Sequence, residues 1–367
     1  MRFSSFLSRL GLACGLVGLA GAAGAVTFSV DAISPTVTGS ASSGTTSSPG
    51  DILGDFPPAT PTPVLGTAIV VGASSGAEVD GFSFGRALSQ FSTSVPGLFS
   101  VDRGSFGVSG SAVAIEAAGT GTTSEQGSDV FRSSYGGANT LFRDGDGIPI
   151  SPNPVVPGLG VAEPFSQPPP TPPLPPTLVG NVDALDARGD AVSPPPTGTL
   201  FLSLDTASAT GSGLSGGDVL IDVGLTGTTS IYAPASALGL FSTDDIDALV
   251  VFDNGDGVFL PGLDIVLFSL APGSPGVGSL DSVSGLVITE GDVLIDSTAA
   301  ITLLGAPATS TAPGILHTAE SLGLISVRGG FAGSNNLNAF DIVPEPGSAL
   351  LLVSGIAGLA LIRRRLG

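Results

Sequence analysis

Three short signatures recur four times along the chain, always in the same order. The first begins at residues 28, 99, 202 and 268: Phe28-Ser29-Val30-Asp31, Phe99-Ser100-Val101-Asp102, Leu202-Ser203-Leu204-Asp205 and Phe268-Ser269-Leu270. The second is Gly50-Asp51-Ile52-Leu53, Ser128-Asp129-Val130-Phe131, Gly217-Asp218-Val219-Leu220 and Gly291-Asp292-Val293-Leu294. The third is Val79-Asp80-Gly81-Phe82, Val182-Asp183-Ala184-Leu185, Ile246-Asp247-Ala248-Leu249 and Leu337-Asn338-Ala339-Phe340, each preceded by a Leu-Gly pair. A unit repeated at this scale is one supersecondary element that buries its apolar face only against its neighbours. The repeat therefore limits the chain to closed or stacked repeat architectures, or to sandwiches.

The unit reads as strands. Leu200, Leu202 and Leu204 alternate with Phe201, Ser203 and Asp205. Val219, Ile221 and Val223 are expected on one strand face, and Ile246, Ala248, Val250 and Phe252 on another. Ser230 to Ala233 gives a fourth strand, with a helical turn expected at Ala235 to Leu240. Gly, Ser, Asp and Pro punctuate the runs. The expected fold is all-β: four copies, near 26–85, 94–190, 198–254 and 263–342, closing as a four-bladed β-propeller, because radial closure removes free sheet edges. A β-sandwich and a β-solenoid are the alternatives. The second copy is long because it contains a Pro-rich tract, Glu163 to Pro176, expected as a surface loop inside the repeat.

Composition removes whole classes of chemistry. All basic residues are Arg; there is one His (His317), one Cys (Cys14) and no Trp. A zinc site of His and Cys ligands needs three or four of them, and one Cys makes no intrachain disulfide. The chain has 31 acids against 11 Arg, a balance that argues against nucleic acid as a partner.

The ends read as addresses. Residues 1–25 form an expected signal helix: Arg2 and Arg9 at the start, an apolar stretch to Ala20, and Ala23-Gly24-Ala25 as a small-x-small cleavage site for signal peptidase. Residues 343–367 hold Pro344-Glu345-Pro346, an apolar run from Ser348 to Ile362, and Arg363-Arg364-Arg365. Fifteen helical residues span about 22 Å, short of a ~30 Å hydrocarbon core. The Arg cluster holds such a tail at the cytoplasmic face. This end resembles the PEP-CTERM sorting segment of Gram-negative bacteria. The resemblance implies a short transmembrane helix, transient inner-membrane anchoring and processing by an exosortase. It also implies association with exopolysaccharide and biofilm. Residues 1–25 and 347–367 hold five of the 11 Arg and none of the 31 acids, so residues 26–346 carry 31 acids and 6 Arg, net −25.

Within residues 26–342, two acidic turns resemble pieces of calcium loops: Asp144-Gly145-Asp146-Gly147 and Asp253-Asn254-Gly255-Asp256-Gly257. Alternate oxygen ligands can wrap a hard cation, and Gly allows the sharp turn. The competing reading is a plain hairpin turn, since Asn-Gly and Asp-Gly favour positive φ. The Asp residues that recur once per copy are expected to cap strands, because a catalytic group needs no four copies. His317 lacks a nucleophile elbow and is expected to hold a fold position aligned with Tyr232. The functional expectation is an exported, non-enzymatic structural or adhesive protein of the cell surface or matrix, meeting the export machinery, exosortase and extracellular polysaccharide. The alternatives are a carbohydrate-active enzyme built on carboxylates and a calcium-dependent glycan-binding module.

Overall fold

The computed structural model describes residues 25–31, 34, 51–55, 62–66, 71–74, 77–85, 96–118, 125–161, 163, 180–188, 198–304 and 310–343. Three strands follow each other at the start: β1 (Ala25–Val30), β2 (Ile52–Asp55) and β3 (Thr62–Gly66). They share a sheet with the last strand, β16 (Leu337–Val343), in the order β16-β1-β2-β3. The next sheet is β4 (Gly81–Ser83), β5 (Gly97–Ser100), β6 (Val130–Ser133) and β7 (Asn139–Arg143). The third is β8 (Val182–Arg188), β9 (Thr199–Leu204), β10 (Val219–Val223) and β11 (Ser230–Ala233). The fourth is β12 (Ile246–Phe252), β13 (Ile265–Leu270), β14 (Val293–Ile295) and β15 (Gly314–His317). All pairings between neighbouring strands are antiparallel. The innermost strands β4, β8, β12 and β16 touch in a ring. The body is a four-bladed β-propeller arrangement closed by pairing its last strand with its first.

The signatures make one apolar row in each blade. Phe340, Phe28 and Leu53 stand opposite one another across β16, β1 and β2. Phe82, Phe99 and Phe131 do the same in the second blade, Leu185, Leu202 and Leu220 in the third, and Leu249, Phe268 and Leu294 in the fourth. Opposed large side chains of this kind are the unit of sheet stabilisation.

The phase of the repeat differs from the sequence expectation. The third signature of each copy is not the end of that copy's blade; it is the inner strand of the next blade. In the last copy, the next blade is the first one. One strand of offset therefore converts a linear repeat into a closed ring.

Four cores lie between blades, not within them. Phe28 and Leu53 of the first blade pack with Ala248, Val250, Leu267 and Val293 of the fourth. Phe201 and Val219 pack with Leu249, Val251 and Phe268. Because both faces of a blade are covered, adjacent residues such as Leu200 and Phe201 are both buried, in different cores. This corrects the simple alternation expected for β10: Leu220 is buried with Val219 and Ile221, while Val223 at the strand end is 55% exposed. Around the sheets lie short helices: α1 (Ala112–Glu116), α2 (Thr206–Gly211), α3 (Ser297–Leu304), and a 3-10 turn at Ala235–Ala237 where a helical turn was expected.

The strands begin at Ala25 and end at Val343, one residue beyond the expected body at each side, and these two residues pair. Ala23, Pro344, Glu345, Pro346, Arg363, Arg364 and Arg365 lie outside the described residues, as does the apolar run between 348 and 362. Among the described residues no helix is long and apolar enough to cross a membrane.

Candidate functional site: acidic constellations of the ring

At three of its four places the recurring Asp or Asn of the third signature is the extra residue of a β-bulge. In β8, Val182 opposes Leu204 and Ala184 opposes Ser203, leaving Asp183 as the extra residue. In β12, Asp247 is extra between Ile246 and Ala248. In β16, Asn338 is extra between Leu337 and Ala339. A bulge re-aims one side chain out of the pleat. It also changes faces along β12: Ile246 packs with Leu249 and Val251, whereas Ala248 and Val250 pack on the other side. The single face expected for Ile246, Ala248 and Val250 is thus broken at Asp247.

The small residue after each ring residue follows from crowding. A Cβ on Gly81 would stand 2.6 Å from Leu185 Cβ and 2.6 Å from Ser100 Oγ. The Ser of the first signature ties the blades together at the same level. Ser29 Oγ donates to Val79 O (2.8 Å), Ser203 Oγ to Ile246 O (2.9 Å) and Ser269 Oγ to Leu337 O (2.7 Å). Each bond crosses to the residue preceding the ring position (Asp80, Asp247 or Asn338) in the next blade. Ser100 Oγ, at the fourth place, has no partner.

Two residues before each ring position lies a second set, Glu78, Asn181, Asp245 and Asn336. Sequence reasoning missed it because the four are three different residue types. Its backbone role is uniform: the carbonyls of Glu78, Asn181, Asp245 and Asn336 accept from the N–H of Asp102, Asp205, Ala271 and Asp31. Its side chains join the ring. Asn181 Nδ2 donates to Asp80 Oδ2 (3.2 Å) and Asp183 Oδ1 (3.1 Å), and Asn336 Nδ2 donates to Asn338 Oδ1 (2.8 Å). Burial, with Asp102, Glu78 and Asp247 nearby, holds the Asp80 carboxyl well above the usual range. Burial followed by Asp247, Asp245 and Asp80 does the same for Asp183. Asp247 is raised by burial and by Asp245, against a lowering bond from Asn336, and its Oδ2 receives no hydrogen bond. These Asp residues were expected as local caps; they are instead members of one inter-blade ring.

The Asp of the second signature does cap. Asp218 accepts Ser215 N–H (2.9 Å) and Ala235 N–H (2.8 Å), one on each oxygen. Asp292 accepts Thr289 N–H (2.8 Å) and Ala319 N–H (2.8 Å) in the same way. Asp129 accepts Gly145 N–H (3.0 Å) on Oδ1 alone.

The two acidic turns differ. Asp253 Oδ2 accepts Gly255 N–H (2.8 Å) and Arg188 Nη1–H (2.9 Å), and its Oδ1 accepts the hydroxyl of Tyr232 (3.3 Å). Asp256 is exposed and bonds Val258 N–H (3.0 Å). Asp253 and Asp256 approach Asp264, whose oxygens accept Asn254 and Leu260 N–H. In this turn Arg188 pairs with Asp253, one of the three acids. In the other turn, Asp144 accepts Gly147 and Ile148 N–H through Oδ1, and Asp146 bonds Ile148 N–H (2.8 Å). The structure groups Asp144 with Asp129 and Glu163, and Asp146 lies beside them, its N–H donating to Glu163 Oε2 (3.3 Å). Glu163 was expected to open a surface loop; it is fully buried, accepting Ser128 Oγ–H (2.7 Å) and Gly145 N–H (3.0 Å).

His317 lies half-buried on β15, and burial lowers its pKa. It opposes Val293 as Ala233 opposes Val219, so its repeat equivalent is Ala233, one residue from the expected Tyr232. No protein-family model, curated protein or solved structure matches the chain.

Proposed function

We propose that the chain is an exported, non-enzymatic structural or adhesive protein of the cell surface or extracellular matrix. We further propose that it is sorted through its PEP-CTERM-like tail by an exosortase and works beside extracellular polysaccharide. The observation that carries this reading is the near-equivalence of its acids around the ring: Asp80, Asp183 and Asp247 hold one position, with Asn338 at the same position in the first blade. A hydrolase concentrates a unique acid pair in one cleft; a scaffold repeats its acids. The pairing of Ala25 with Val343 supports the sorting part of the reading, because it would put both processed ends on one blade. Apart from the terminal pair Ala25–Val343, the closing ladder between β1 and β16 is made by residues within 26–342. Both addresses could then be removed with the body intact.

The test is localisation of the protein in its bacterium with and without the exosortase gene, together with mass determination of the mature C-terminus. The expected result is a surface product ending near Pro344-Glu345-Pro346 that accumulates unprocessed in the membrane without the enzyme. A mature product retaining Arg363 to Arg365 would overturn the sorting assignment.

A further inference from the structure

In three of the blades the second-signature Asp meets different environments, and the difference is one of charge. In the fourth blade, Arg328 donates to Asp292 Oδ1 (2.6 Å) and Oδ2 (2.9 Å) and also to Glu320 (2.9 Å). Two acids there share one cation supplied by the chain. In the third blade Asp218 has both oxygens filled by backbone N–H groups. In the second blade Asp129 has neither solution. It is fully buried, as are Asp144 and Glu163, and one oxygen from each of the three lies within 4.8 Å of the others. No donor reaches Asp129 Oδ2 or Asp144 Oδ2. Among the described residues, no ion pair from an Arg to Asp129 or Asp144 is seen.

Three buried carboxyls facing one another need either protons or a cation between them. The fold brings the third one in from a distance. Leu159 N–H bonds Asp144 O and Val161 N–H bonds Gly145 O, which returns the chain so that Glu163 spans Ser128 and Gly145. Without a cation, burial and the neighbouring Asp144 push Glu163 up to about 9, and burial raises Asp144 to about 7.

We propose that Asp129, Asp144 and Glu163 bind a calcium ion at the place in the second blade that Arg328 occupies in the fourth. The donor set is all oxygen, which suits a hard cation, and calcium tolerates the irregular geometry of ligands drawn from the residue before a strand, a turn and a returning loop. The ion would tie the 144–163 loop to the blade, as Arg328 ties Glu320 to Asp292.

The experiment uses the purified full chain, stripped with EDTA and dialysed, then melted with and without millimolar calcium chloride. A ligand held at about a hundred times its Kd raises the melting temperature on the order of 5 °C. Glu163→Gln is expected to abolish that rise. Its melting temperature in EDTA should equal or exceed that of the unaltered chain, because a buried acid is removed. Asp144→Asn, which keeps the oxygen that accepts Gly147 and Ile148 N–H, gives an independent second reading with the same expectation. Asp256→Asn, in the other acidic turn, should keep the full rise. Absence of a calcium-dependent rise in the unaltered chain overturns the proposal, leaving protons as the counter-charge. An equal rise in Glu163→Gln and Asp144→Asn also overturns it, since the ion would then sit elsewhere.

Discussion

Phe28 on β1 and Phe340 on β16 stand directly opposite each other, joining the two ends of the folded chain. Both are fully buried in the core shared by the first and fourth blades. Ring closure depends on this row, and a Phe truncated in a packed core costs about 3–5 kcal/mol. Phe340→Ala should lower the free energy of urea unfolding by that amount. Phe106→Ala, at a site 63% exposed, should change it by less than about 0.5 kcal/mol. Similar losses at both positions would mean that closure does not limit stability.

The inter-blade Ser bonds give a second, finer expectation. Ser269 Oγ donates to Leu337 O at 2.7 Å and Ser203 Oγ to Ile246 O at 2.9 Å, both fully buried. Replacing either by Ala leaves a buried carbonyl with one bond fewer, worth about 1–2 kcal/mol. Ser100→Ala should cost less, because Ser100 Oγ has no partner to lose. Chemical denaturation of the three variants orders them; an equal loss in all three would assign the effect to packing.

The apolar rows were legible because Phe28, Leu53 and Phe82 and their counterparts recur at fixed places in the signatures. The offset of the third signature was not, because a local pattern shows that Phe82 lies on a strand but not which sheet receives it. The bulge at Asp183 or Asp247 has the same cause: an extra residue exists only relative to a partner strand. Glu163 was hidden differently. It borders a Pro-rich tract, and only the bonds of Leu159 and Val161 to Asp144 and Gly145 carry it back into the blade.

Acidity should stabilise the ring. Asp80, Asp183 and Asp247 keep their protons more tightly folded than unfolded, and Asp245 is raised to about 6 by burial. The groups facing them are Asp31, Glu78, Asp102 and Asp205, with Arg103 the nearby cation. Below about pH 4 these carboxyls are neutral in both states and their stabilising contribution is complete. As pH rises, the unfolded chain ionises first, so the native state binds more protons and stability falls. Denaturation midpoints should drop from pH 4 through 7. Asp247→Asn should flatten that slope and add on the order of 1 kcal/mol at pH 7; the Asn338 present at the equivalent place shows that an amide fits. A slope unchanged by Asp247→Asn would remove the ring as its source.

Arg328 offers the complementary case, a buried acid whose cation can be deleted. Asp292 is fully buried and Arg328 is 16% exposed in its side chain. Arg328→Met keeps most of the apolar stem and removes the charge. Asp292 would retain its bonds from Thr289 and Ala319 but lose its counter-ion, and breaking such a pair from one side costs about 3 kcal/mol or more. Adding Asp292→Asn to Arg328→Met should recover part of the loss, since the uncompensated charge is then gone. Glu320 is more exposed, and Glu320→Gln alone should cost less than about 1 kcal/mol. The double-mutant cycle between 292 and 328, read by urea unfolding, measures the coupling directly. A coupling near zero would mean that the backbone N–H groups alone satisfy Asp292, as they do Asp218, and that this position of the blade needs no cation.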